Sequence, residues 1–114
     1  MRRIGSVGSS VVAAACVAVA ALAPLARADE GAGKAVFEKS CKACHSIAGE
    51  GGKMAQLGGP LDGVGATHDA AWFRKYIEDP KAMKADAKMP KVKLTEQELA
   101  DIVAYLGTLK TPAK

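Results

Sequence analysis

Cys41-Lys42-Ala43-Cys44-His45 brings two thiols and an imidazole together in one short stretch. The Cys-x-x-Cys-His spacing is that of covalent c-type haem attachment. Two thiols so spaced can add to the two vinyl groups of one porphyrin. The imidazole directly after them is then held beneath the iron as its proximal ligand. The expectation is one covalent haem c, anchored through Cys41 and Cys44 and ligated by His45. Haem is attached in this way outside the cytoplasm, so the motif also implies export.

Other chemistries for these thiols fit less well. Two cysteines in a secreted chain could form a disulfide. A structural zinc site needs four ligands, and no second Cys or His cluster follows. A thioredoxin-like pair needs a βαβ pattern, which is absent. The third cysteine, Cys16, belongs to a different segment.

That segment reads as a cleavable signal peptide over residues 1–28. Met1-Arg2-Arg3 is a positive start, Val11 to Ala23 an apolar centre of 13 residues, and Ala26-Arg27-Ala28 an Ala-x-Ala cleavage site. A membrane anchor needs about 20 consecutive apolar residues. Residues 29–114 then form one domain, with no membrane span after cleavage. Losing Arg2, Arg3 and Arg27 lowers the 16 basic residues to 13 against 12 acids, a net +1. Two ionised propionates would reverse that sign. No concentrated basic face points to nucleic acid.

The elements that must position the motif read as helices, with no strand pattern. The first runs from about Asp29 to Lys39, with acids at its positive end. Seven glycines between Gly49 and Gly65 argue against a helix interior and for a loop covering the cofactor. The next helix spans about Asp69 to Glu78, capped by Thr67 or Asp69. Trp72, Phe73, Tyr76 and Ile77 form its apolar stripe, and Pro80 ends it. Lys81 to Ala87 has room for one helical turn. Thr95 and Glu98 make a capping box ahead of Leu99, Ile102, Val103, Leu106 and Leu109, which share one helical face.

Taken in order, these residues resemble the class I cytochromes c, the small single-haem type. The likeness covers nearly all of residues 30 to 110. It rests on Cys41-x-x-Cys44-His45, Gly59-Pro60, Trp72 through Tyr76-Ile77-x-x-Pro80, Met89-Pro90, and Leu94-Thr95-x-x-Glu98 with Ile102-Val103-Ala104-Tyr105-Leu106. It implies an all-α cytochrome c fold of three to four helices wrapped around one haem. It implies a crossing of the first and last helices, with Gly33 allowing close approach and Phe37 meeting Ile102 and Tyr105. It also implies that the Pro60 carbonyl accepts the second N–H of His45.

Four side chains compete for the sixth iron position: Met54, Met83, Met89 and His68. Met89 is favoured, because its loop can cross to the face opposite His45 and Pro90 stiffens it. Met54 lies in the glycine-rich loop on the proximal side, Met83 in a helical turn, and His68 among polar residues. A thioether favours ferrous iron, and filling both axial positions suits electron transfer over catalysis. Tyr76 is either a tuner of the Met sulfur or a wall aromatic with a solvated hydroxyl. Trp72 is a wall residue of the haem more than an electron relay. Lys42, Lys53, Lys88, Lys91 and Lys93 either steer an acidic partner or simply serve solubility.

The expected function is a periplasmic electron carrier, monomeric and not an enzyme, serving an oxidase, reductase or dehydrogenase. The alternatives are a dedicated haem subunit of one complex, or a gas-sensing or peroxidase-like haem protein with an open sixth position. A domain of this size has a marginal core without its cofactor. The haem-free polypeptide is therefore expected to be largely unfolded by circular dichroism, and a fully helical apoprotein would contradict this.

Overall fold

The computed structural model describes residues 27–113, with the isolated positions 5, 8 and 14. The apolar run expected to be a leader falls almost wholly outside them. Among the described residues the elements in chain order are α1 (Glu30–Ser40), β1 (Ser46–Ile47), β2 (Glu50–Gly51), α2 (Ala55–Gly58), α3 (Val64–Thr67), α4 (Ala70–Glu78), α5 (Pro80–Met83) and α6 (Glu96–Gly107). The fold is all-α, with three substantial helices (α1, α4 and α6) and three single turns. No helix among the described residues is long and apolar enough to cross a membrane.

Local chemistry explains where the long helices begin. The Asp29 carboxylate accepts from the Gly31 and Ala32 N–H groups at 2.9 and 3.2 Å and caps α1. Asp69, and not Thr67, caps α4 through the Trp72 N–H at 2.8 Å. The Thr95–Glu98 box is complete, each side chain accepting from the other's backbone N–H at 3.1 Å. Glu98 also meets Lys39 of α1 at 2.6 Å. The Lys39 ammonium, with the Thr95 N–H, holds the Glu98 carboxyl below its usual value.

Two expectations need correction. β1 and β2 form a short antiparallel ladder, pairing Ser46 with Gly51 and Ile47 with Glu50. A ladder of two residues is too short to leave an alternating pattern in the sequence. Its turn places Ala48 at φ 52°, and the Asp62 carboxylate accepts the Ala48 N–H at 2.9 Å. The glycine-rich stretch also contains the single turns α2 and α3. A single turn closes few hydrogen bonds and is held by what it leans on. For α3 that support is α6: the Gly65 N–H donates to the Leu109 carbonyl at 2.9 Å.

The core joins α1, α4 and α6 through Val36, Phe37, Phe73, Ile77, Leu99, Ile102 and Leu106. Ile102 is fully enclosed. The α1–α6 crossing is tight at Gly33, where a Cβ would fall 2.0 Å from the Asp101 carbonyl oxygen and 2.6 Å from the Tyr105 Cβ. Phe37 and Tyr105 then meet with ring centroids 6.4 Å apart.

Gly33→Ala places a methyl against backbone that no rotamer change can move. Alanine recovers about 1 kcal/mol as a helix former, but overpacking costs about 1–3 kcal/mol or more. Because the clash is with backbone, the upper end applies. A net loss of about 2 kcal/mol is expected, read as a lower urea midpoint with an unchanged slope.

Candidate cofactor site

Between α4, α6 and the loop carrying α2 and α3 lies a cleft of about 280 Å³. It is bordered by Cys41, His45, Pro60, Trp72, Tyr76 and Met89, and floored by Phe73, Ile77, Ile102 and Leu106. Residues far apart in sequence are thus gathered around one apolar space. α1 ends at Ser40 and delivers the Cys41–His45 turn, in which the Cys44 and His45 N–H groups donate to the Cys41 carbonyl at 3.1 and 3.0 Å.

His45 is oriented by the backbone after α2. Its Nδ1 lies 3.1 Å from the Gly59 carbonyl oxygen. A carbonyl can only accept, so Nδ1 carries a proton, which leaves Nε2 as the nitrogen for a metal. That is the arrangement a metal ligand needs, fixed by the kind of outer partner that commonly sets imidazole orientation. The expected Pro60 carbonyl is not the acceptor. Gly59, with φ 72° and ψ −179°, turns its own carbonyl toward the ring, one residue earlier. Pro60 instead borders the cleft.

Gly58 sets how closely this backbone can approach. A Cβ there would fall 2.2 Å from the Cys44 carbonyl oxygen and 2.6 Å from both Cε1 and Nδ1 of His45. The Gly58 N–H donates to that same Cys44 carbonyl at 2.7 Å. The sequence signal was a pair of glycines before a proline, legible as a turn but not as a support for the ring.

Cys41 and Cys44 are free and half-buried. Burial pushes the Cys41 thiol up to about 11, so the cleft disfavours a thiolate. A neutral thioether suits the same wall. Cys44 sits beside the cleft and is not among its bordering residues. An apolar cleft with aromatic walls, an oriented imidazole and two free thiols next to it fits a covalently attached porphyrin.

The aromatic stripe of α4, expected as one face, divides between its two i, i+4 pairs. Phe73 and Ile77 enter the core, while Trp72 and Tyr76 face the cleft with rings stacked at 4.9 Å. His68 was expected to be solvated. It is exposed, but it borders the cleft and stacks on Trp72 at 3.5 Å with planes 10° apart. Its position just outside α4 hid this, because helical spacing does not extend to it. Of the three candidate methionines, Met89 is half-buried at the cleft. Met54 and Met83 are 52% and 38% exposed and do not border it. Of the five lysines, Lys91 faces Asp79 at 3.8 Å.

A family model described as Cytochrome c matches residues 31–110. Cytochrome c-554 of Methylosinus trichosporium is 33% identical over 125 aligned positions, covering 92% of this chain and 93% of its own. Cytochrome c2 of Blastochloris viridis is 34% identical, covering 79% of this chain and 85% of its own. Cytochrome c-550 of Nitrobacter winogradskyi is 35% identical, covering 75% and 95%. No solved structure matches the chain.

Gly58→Ala is expected to displace the His45 ring and to cost about 1–3 kcal/mol. Shifted imidazole resonances together with a lower unfolding midpoint would show it. Leu57→Ala, at a side chain 78% exposed, should leave the ring in place and stay within about 0.5 kcal/mol of the parent.

Proposed function

The chain belongs to the cytochrome c family, and we propose that it is a periplasmic electron carrier whose single covalent haem is ligated by His45 and Met89. In this reading Cys41 and Cys44 supply the thioether anchors. The haem supplies a one-electron Fe(II)/Fe(III) couple when bound. The protein's task is to hold that couple in place with little rearrangement, and it acts as an electron-transfer protein and not an enzyme.

The observation that carries the reading is the convergence of His45 and Met89 on one apolar cleft, with Nδ1 of the imidazole engaged by the Gly59 carbonyl and Nε2 left for a metal. The Gly59 carbonyl keeps Nδ1–H satisfied and so raises the basicity of the nitrogen opposite. Phe73, Ile77, Ile102 and Leu106 keep water from the cleft floor, which favours the less charged oxidation state. A thioether in the sixth position pushes the potential the same way. Trp72 and Tyr76 supply a flat wall for a planar cofactor. The signal-peptide reading of residues 1–28 supports a periplasmic location. Lys42 and Lys88, next in sequence to the cleft residues Cys41 and Met89, supply positive charge with which to meet an acidic oxidase, reductase or dehydrogenase.

Met89→Ala tests the ligation. The purified parent should show the charge-transfer band of methionine-ligated ferric iron and ignore carbon monoxide when reduced. The variant should lose that band, bind carbon monoxide and have a lower reduction potential. Retention of the band would move the ligand to another residue. A colourless exported protein would overturn the reading as a whole.

A further inference from the structure

Asp101 is the buried charged residue among those described, with 5% of its surface exposed. It lies on α6 at the crossing with α1. Its Oδ1 accepts from the Asp29 backbone N–H at 2.8 Å and from Gln97 Nε2 at 2.8 Å. Gln97 Nε2 also donates to the Arg27 carbonyl at 2.7 Å. None of the ion pairs among the described residues includes Asp101. A buried carboxylate served only by neutral donors is unfavourable, and supplying an opposite charge in contact relieves that cost.

The donor at Asp29 is the amide nitrogen of the peptide bond at which the Ala26-Arg27-Ala28 signal predicts cleavage. We propose that leader removal between Ala28 and Asp29 creates a part-buried ion pair between the new α-ammonium of Asp29, an exposed residue, and the buried Asp101 carboxylate. The step is a hydrolysis by an exported-protein peptidase, with water as co-reactant. The Ala28 C–N bond breaks. Ala28 takes the hydroxyl and leaves as a carboxylate, and the Asp29 nitrogen takes hydrogen and becomes an ammonium. That nitrogen already sits at 2.8 Å from Oδ1, so the cation forms in contact with its partner.

One effect opposes this. A positive charge at the start of α1 faces the positive end of the helix dipole, a penalty of about two- to fivefold in an equilibrium constant. The Asp29 and Glu30 carboxylates at the same end counter it. Replacing a neutral amide donor by an ammonium roughly doubles the strength of the bond to Oδ1, and with the Gln97 hydrogen bond kept this outweighs the penalty, leaving a net gain of about threefold. Losing the Gln97 bond to Arg27 costs little, because it is exposed. The consequence is a processing-dependent clasp. The α1–α6 crossing is weakened by an unpaired charge while the leader is attached. It tightens after export, in the compartment where the haem is joined.

The test compares haem-loaded protein whose first residue is Asp29 with protein whose first residue is Ala28, each with Asp101 or Asp101→Asn. Urea unfolding is followed by circular dichroism. The Asp29 start should be about threefold more favourable in its folding equilibrium constant, and Asp101→Asn should abolish that advantage. Acetylating the Asp29 amine, which leaves Asp101 intact, should lower stability to that of the Ala28 start. Mass spectrometry of the exported protein should place its first residue at Asp29. Equal stability of the two starts, a difference that survives Asp101→Asn, no effect of acetylation, or a different first residue would each overturn the proposal.

Discussion

Helices α1 and α6 can cross as closely as they do only because Gly33 has no side chain. The Asp101 carbonyl occupies the space a methyl would need. This approach lets Phe37 and Val36 reach Ile102 and Leu106, so the core closes over very few residues. α6 in turn supplies part of the cleft floor and the support for α3. α1 delivers the Cys41–His45 turn at its end. Without the crossing there is neither a floor for the cleft nor a fixed position for the Cys41–His45 turn.

The second constraint is directional. An imidazole needs one nitrogen free and the other satisfied, and the ring must not swing. The Gly59 carbonyl settles the proton, and the bare Gly58 backbone limits the swing. Both come from a single helical turn with little intrinsic stability of its own. The segment leading into and through that turn is held by hydrogen bonds to the stretch it supports: Gly52 to the Lys42 carbonyl, Met54 to that of Ala43, and Gly58 to that of Cys44. Motif and support are therefore one unit.

Much of this was legible in the sequence where the signal is local and chemically specific. The Thr95–Glu98 box, the Asp69 cap and the α6 apolar face are short-range patterns, and each stands where expected. The α4 stripe was legible as one apolar face, but its division into buried Phe73 and Ile77 and cleft-bordering Trp72 and Tyr76 was not. Other features depend on what lies across the fold. Single turns at Ala55–Gly58 and Val64–Thr67 are stabilised from outside, so composition spoke against them. Whether Gly59 or Pro60 turns its carbonyl to His45 depends on one backbone torsion. His68 lies outside the helix whose tryptophan it stacks on. The burial of Asp101 follows from a contact with a residue near the other end of the domain, and no periodicity records that.

α2 has one further consequence. Leu57 stands 78% exposed, and the next residue is the glycine that touches the His45 ring. A methyl on that glycine would fall 2.6 Å from the ring. A partner that gripped Leu57 and shifted its backbone would therefore move the segment against which the His45 imidazole rests.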